Sequence, residues 1–194
     1  MKQLYYCGIN NYQQCPSEIK AQPKIITKLT HVLNDEVTGL DYSNRILVVQ
    51  NDHVLKLFGM RYEFDNERFK MLNPPVKVDH FISTEDFIYI EKSLSFWKSD
   101  YSNTWTEVNL NFKNQESEKL WNDETNTSIK KLSKTSNGIF CLLSNGKVWR
   151  LGTDGELGLS YSAETDAAID IASGFEHLLV LTESGCVLSF GIGR

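Results

Sequence analysis

The sequence predicts an all-β repeat protein of the β-propeller type. Three observations predict this class. A hairpin of two short apolar strands that closes on a glycine recurs along the chain, another β-prone segment precedes each copy, and amphipathic helices of ten or more residues are scarce. Units of three or four short strands are the makeup of propeller blades. We therefore expect residues 1–194 to form a single domain that is the N-terminal portion of a propeller, about half of a ring.

The hairpin is clearest in residues 139–152 and 178–191. Each copy has a turn glycine and a closing glycine six positions later: Gly146 and Gly152 in the first, Gly185 and Gly191 in the second. Asn-Gly suits a two-residue hairpin turn because both positions accept a positive φ. The sequence therefore predicts such a turn at Asn145-Gly146.

Two eroded copies and a half copy precede these. Residues 46–59 close on Gly59, with His53 in the place of the turn glycine, and residues 87–97 are followed by Lys98 where the closing glycine is expected. Residues 4–8 supply only a second strand that ends at Gly8. The repeat units thus close near 8, 59, 98, 152 and 191, in steps of roughly 39 to 54 residues, which suit propeller blades.

Further β-prone segments precede the hairpins and supply the remaining strands. They are Ile25–Leu33, Val76–Ser83, Ile129–Leu132 and Ile169–Ala172. Residues 114–124 are compatible with one short helix, and Met60–Pro75 is expected to be a loop. Because stacked sheets bury both faces, apolar residues should occupy consecutive rather than strictly alternating positions.

The composition excludes several functional classes. The formal net charge is -5, and the densest basic run, Lys130 to Lys134, is short, so direct nucleic-acid binding is not expected. No stretch approaches the roughly 20 apolar residues of a membrane span. A secretory signal is also absent from the first eight residues. We expect a non-secreted protein of the nucleus, the cytoplasm or both.

The four cysteines show no zinc-ligand spacing. Cys141 and Cys186 each lie in an apolar run, where a free thiol behaves as a small hydrophobe, so we expect both to be buried. A reducing compartment would keep Cys7 and Cys15 as thiols.

The C-terminal copy carries the most specific motif. Residues 171–191 contain Gly174-x-x-His177, an apolar strand, Gly185 and then Phe190-Gly191. This pattern resembles the repeat of the regulator of chromosome condensation family. The family's following motif, Gly-x-Asn-x-x-Gly-Gln-Leu-Gly, is similar to residues 8–14 and, with two residues deleted, to residues 152–158. The family folds as a seven-bladed propeller about twice this long, which implies that the sequence is an N-terminal fragment.

The resemblance also implies a function, that of a non-enzymatic scaffold that binds other proteins. The eroded opening repeats resemble the subfamily of regulator of chromosome condensation domain-containing proteins, which implies a chromatin-associated partner, a JmjC-domain histone demethylase or hydroxylase. The alternative is a guanine-nucleotide exchange factor for a small GTPase, the role of the founding family member.

No catalytic, cofactor or metal site is expected from the residue patterns. His177 is expected to be a structural residue whose ring bonds to the backbone between strands. The glycine-rich segment 152–158 lacks the Lys-Ser/Thr of a phosphate-binding loop and is better explained as a tight turn. Trp149 lies in a strand and is expected in the core. Trp105 and Trp121 lie in polar surroundings and are the candidates for exposed partner contacts.

Overall fold

The computed structural model describes residues 4–9, 25–33, 37–42, 46–51, 54–59, 70–84 and 86–191; of the first two ranges it describes the backbone only. Two compact units are present. One comprises Met1–Ile90 with Trp97–Thr106, and the other comprises Glu91–Phe96 with Glu107–Arg194. No described helix is long and apolar enough to cross a membrane. His53 and the motif at residues 10–14 lie outside the described residues.

Antiparallel meanders dominate the described part of the chain. The first pair of strands is β1 (Leu4–Ile9) with β2 (Ile25–Leu33). The second sheet contains, in spatial order, β3 (Gly39–Tyr42), β4 (Ile46–Asn51), β5 (Val54–Gly59) and β6 (Lys70–Leu72). The third contains β7 (His80–Ser83), β8 (Ile88–Lys92), β9 (Ser95–Ser99) and β10 (Thr106–Glu107).

The second unit completes the series. One sheet runs β12 (Ile129–Thr135), β13 (Gly138–Leu143), β14 (Val148–Leu151) and β15 (Glu156–Tyr161), with β11 (Asn111–Phe112) added parallel to β15. The next runs β16 (Ala168–Ser173), β17 (His177–Thr182) and β18 (Val187–Gly191). Three sheets therefore contain the expected four-stranded meander, since each strand pairs with its successor.

Each unit has a core where neighbouring sheets stack. In the first unit, apolar residues of β4, β5 and β6 pack against Val78, Ile88, Ile90 and Tyr101. In the second, Phe140, Leu142 and Val148 of one sheet pack against the next sheet: Ala168, Ile171, Leu178 and Val180. All six residues of β13 are buried, as expected for a strand that is covered on both faces.

The predicted short helix is present as α1 (Gln115–Asn122), followed by a 3-10 helix at Asp123–Asn126. Asn114 caps α1, because its side-chain oxygen accepts from the Ser117 N–H at 2.8 Å. Trp121 is the buried residue of this helix. The helix α1 thereby adds one aromatic side chain to the core of the second unit.

The turn at Asn145-Gly146 differs from the prediction. Only Gly146 has a positive φ, at 80°, and its N–H donates to the Leu143 carbonyl. The chain therefore forms a type I turn over Ser144 and Asn145 and places the glycine at the left-handed position after it, the common three-residue hairpin loop. Gly185, with φ 85° and a bond to the Thr182 carbonyl, repeats this geometry.

Three other expectations are wrong. Part of the expected loop Met60–Pro75 is the strand β6, which pairs with β5 through Leu55 and Leu72. Cys186 is exposed, as is most of the strand β18 that follows it, whereas Cys141 is buried as expected. Ile25–Leu33 is a strand, but it pairs with β1, and β3 precedes the β4–β5 hairpin instead.

Replacing Gly138 by Ala should destabilise the protein by about 2–3 kcal/mol. Gly138 begins β13 with φ 142°, and an added Cβ would lie 2.4 Å from the Leu151 carbonyl oxygen. Gly158→Ala is the matched control, because a Cβ there meets nothing within 4 Å. Urea unfolding measures both changes, and equal unfolding midpoints for the two variants would contradict this explanation.

Candidate functional site

Three turns lie side by side in the second unit, and we call them the rim turns. They are residues 136–137 between β12 and β13, residues 152–155 between β14 and β15, and residues 174–176 between β16 and β17. Alternate connections of an antiparallel meander lie at the same end of the sheet. The Ser136 N–H donates to the Phe175 carbonyl at 2.7 Å and connects the first turn to the third.

A small polar cleft of about 180 Å³ opens between two of the rim turns. It is lined by Ser136, Asn137, Arg150, Gly152, Thr153, Asp154 and Glu156. The exposed Arg150 guanidinium donates to the Asn137 carbonyl at 2.7 Å. This bond uses one of its five N–H donors, so the cleft retains hydrogen-bonding capacity.

The turn at residues 152–155 is the tight turn that the sequence predicts. The Gly155 N–H donates to the Gly152 carbonyl at 3.1 Å, and the Asp154 carboxylate accepts from the Glu156 N–H at 3.0 Å. Within the described part of the chain, neither the Asp154 nor the Glu156 carboxylate forms a salt bridge. The Glu156 side chain is exposed and has no hydrogen-bond partner among these residues.

The turn at residues 174–176 presents an aromatic side chain. Phe175 is 74% exposed, although its turn is fixed by the Gly174 N–H, which donates to the His177 carbonyl at 2.9 Å. The His177 ring is exposed and packs on Gly174, where an added Cβ would lie 2.3 Å from Cε1. The expected bond from this ring to the backbone is not formed with any described residue, and the structural role of His177 stays a prediction.

The repeat glycines serve different local purposes. Gly59 and Gly191 end their strands with positive φ, at 130° and 144°. Gly8 lies inside β1 and pairs with Ile26. Gly152 leaves β14 without a positive φ, and the space beside it is taken by the Asp154 side chain.

At the opposite end of the sheets, carboxylates hold the hairpin turns. The buried Glu124, 2% exposed, accepts from Lys147 Nζ and from Asn145 Nδ2, each at 2.5 Å. The Asp166 carboxylate accepts from the Ser184 N–H and hydroxyl, each at 2.9 Å. These bonds fix the turns that precede β14 and β18.

The Asp166 bonds predict a measurable titration. The Ser184 backbone N–H, helped by the Ser184 hydroxyl, holds the pKa of Asp166 below its ordinary value of 3.8. A lowered folded-state pKa stabilises the protein above the unfolded-state pKa, and this contribution is lost as pH falls through the folded value. A carbon-detected NMR titration should place the Asp166 midpoint below 3.8, and a midpoint at or above that value would contradict the bonds.

Polar links join the first strands of neighbouring sheets within each unit. The Ser133 and Ser173 hydroxyls lie 2.6 Å apart, and Lys131 Nζ donates to Asp170 at 2.7 Å. In the first unit, the Asp41 carboxylate accepts from the Ser83 hydroxyl at 2.6 Å. These links fix the first strand of one sheet against that of the next.

Neither predicted tryptophan contact is freely exposed. Trp121 is 6% exposed and meets Trp149 edge to face, with ring centroids 5.1 Å apart, because α1 packs this side chain onto the sheet. Trp105 is half-buried against the core of the first unit, and its buried Nε1 has no hydrogen-bond partner among the described residues. Trp149 is fully buried, as predicted.

The described residues contain no group of three His, Cys, Asp or Glu side chains that could hold a metal ion. Burial raises the pKa of the Cys141 thiol, which keeps it protonated.

Sequence reasoning missed the rim turns as a group, although the dipeptide Asn137-Gly138 is a strong turn signal.

No protein-family model and no curated protein sequence matches the chain. Solved structures do resemble it. Human WBSCR16 superposes with a TM-score of 0.67 at 12% identity, over 97% of this chain and 56% of that chain. Yeast RCC1 (Prp20), crystallised with Kap60, gives 0.64 at 12% identity, over 97% and 52%. The computationally designed Ika4 protein gives 0.52 at 13% identity, over 83% and 94%.

The chain therefore spans about half the length of the two natural proteins that it resembles. Identities of this size carry information about the fold alone. Together with the four-stranded meanders, they show that the chain has an RCC1-like β-propeller fold.

Proposed function

We propose that the chain is part of a non-enzymatic scaffold that binds other proteins, and that both units belong to one propeller domain. The observation that carries the proposal is Phe175, which is 74% exposed on a turn fixed by two backbone hydrogen bonds. Rigid exposed aromatic side chains are typical anchors of protein interfaces. Loops that a rigid sheet positions are the usual binding elements of such folds.

Structural neighbours give the proposal support by analogy. Yeast Prp20 has been crystallised bound to Kap60, and Prp20p from Saccharomyces cerevisiae has been described together with its binding to Gsp1p and histones. Fold does not determine function, so these partners belong to Prp20. What carries over is the use of this fold as a surface for protein partners.

For the partner, we propose a chromatin-associated JmjC-domain histone demethylase or hydroxylase, in the nucleus, the cytoplasm or both. The eroded opening repeats, which resemble those of the subfamily of regulator of chromosome condensation domain-containing proteins, support this partner. Size-exclusion chromatography of the purified protein mixed with such a hydroxylase tests the idea. Co-elution at a fixed ratio is expected, and separate elution of both proteins at micromolar concentration would remove this partner.

The alternative function is guanine-nucleotide exchange on a small GTPase. The likeness to Prp20, with a TM-score of 0.64, is the observation that favours it. Release of a fluorescent nucleotide from a small GTPase would be measured with and without the protein. Unchanged release rates would eliminate exchange activity and leave the scaffold as the proposed function.

A further inference from the structure

We propose that the rim turns and the cleft beside them dock a partner segment that carries a basic side chain next to an apolar one. This inference rests on the proposed scaffold function, and it assigns that function a surface and a partner chemistry. It requires three properties of the site: excess negative charge, room for one side chain, and an adjacent apolar anchor.

The charge of the site favours a basic partner. Asp154 and Glu156 line the cleft, and Glu176 lies in the neighbouring rim turn. None of these carboxylates forms a salt bridge with a described residue. Among the described residues that line the cleft, Arg150 is the one cation, and its guanidinium donates to the Asn137 carbonyl. Three carboxylates against one guanidinium leave an excess of negative charge, which steers basic segments to the site and repels acidic ones.

The size of the cleft limits what can enter it. Its volume is about 180 Å³, below the roughly 300–1,000 Å³ of sites for drug-sized ligands. It therefore admits one side chain of a partner. A guanidinium is the best match, because it binds carboxylates through paired, charge-assisted hydrogen bonds. Arg150 keeps N–H donors that a partner's backbone carbonyl would accept.

The apolar anchor adjoins this cleft. Ser136 lines the cleft, and its N–H holds the Phe175 carbonyl at 2.7 Å. The backbone of Phe175, whose ring is exposed, is thus fixed beside the charged site. A segment whose basic side chain enters the cleft sets a neighbouring apolar side chain on this ring, where burial of apolar area adds binding energy.

NMR titration of the isotope-labelled protein tests the proposal directly. The probe is the blocked peptide acetyl-Leu-Arg-Leu-Arg-amide, compared with acetyl-Leu-Glu-Leu-Glu-amide and acetyl-Ser-Arg-Ser-Arg-amide. We expect the first peptide to shift the amide signals of the rim turns with a Kd on the order of 1 mM. The glutamate peptide should leave these signals unchanged, and the serine peptide should bind more weakly.

Substitutions then separate the two parts of the site. Glu156→Gln removes a carboxylate that holds no part of the fold, and it should weaken binding about twofold to fivefold. Phe175→Ser should weaken it about fivefold or more. Glu183→Gln is the matched control, because this exposed carboxylate lies at the other end of β17. This variant should bind the arginine peptide as tightly as the unmodified protein does.

Equal binding of the arginine and glutamate peptides, or shifts confined to other surfaces, would overturn the inference. So would unchanged affinity in both Glu156→Gln and Phe175→Ser. This docking surface could be wrong while the scaffold function is right, and one measurement distinguishes the two cases. If a purified protein partner binds Glu156→Gln/Phe175→Ser as tightly as the unmodified protein, the scaffold function stands and this surface is wrong.

Discussion

Glu124→Ala should destabilise the protein by roughly 2–3 kcal/mol. The substitution leaves Lys147 and Asn145 without the carboxylate that accepts from both at 2.5 Å. Glu124 is 2% exposed, so water does not replace the lost bonds fully. The Lys147 side chain is 29% exposed, which keeps the expected loss below that of a fully buried ion pair.

Chemical unfolding of a short series measures this effect. Glu124→Gln keeps the shape and one acceptor oxygen, and it should lose less stability than Glu124→Ala. Glu164→Ala is the control at an exposed carboxylate, with an expected change within about 0.5 kcal/mol. If Glu124→Ala and Glu164→Ala unfold at the same denaturant concentration, the turn before β14 does not depend on this carboxylate.

Trp121→Ala should cost about 3 kcal/mol of unfolding free energy. Its ring is buried and packs edge to face on Trp149 at 74° between ring planes, so truncation leaves a cavity beside a fully buried indole. Trp121→Phe should keep most of the packing and lose about 1 kcal/mol. Thermal unfolding and tryptophan fluorescence report the change. An alanine variant as stable as the unmodified protein would show that Trp121 is exposed after all.

The fold was predictable because its signals are local. Apolar runs of β-prone residues, separated by turn residues, specify the hairpins of 139–152 and 178–191, and both are present. The predicted hairpin of residues 87–97 is also present, as β8 and β9, but its turn is not predictable from residue types. Its turn is Ser93-Leu94, with φ 52° and 66°, and it contains no glycine or asparagine. The Glu91 carboxylate accepts from the Leu94 N–H at 2.7 Å, a contact that propensity alone does not reveal.

The site was harder to predict, because burial and exposure depend on tertiary contacts. Trp121 lies among polar residues in the sequence, yet α1 turns it onto the sheet. Cys186 belongs to an apolar run, yet it and most of the following strand β18 are exposed. The exposure of Phe175 was not predictable, because a lone aromatic residue in a turn has no periodic pattern.

Affinity purification of the full-length protein under native conditions, followed by quantitative mass spectrometry, tests the scaffold function most directly. We expect at least one protein partner at a near-stoichiometric ratio. The double variant Glu156→Gln/Phe175→Ser should lower this ratio, and Glu183→Gln should leave it unchanged. Recovery of the unmodified protein without any stoichiometric partner would contradict the scaffold function.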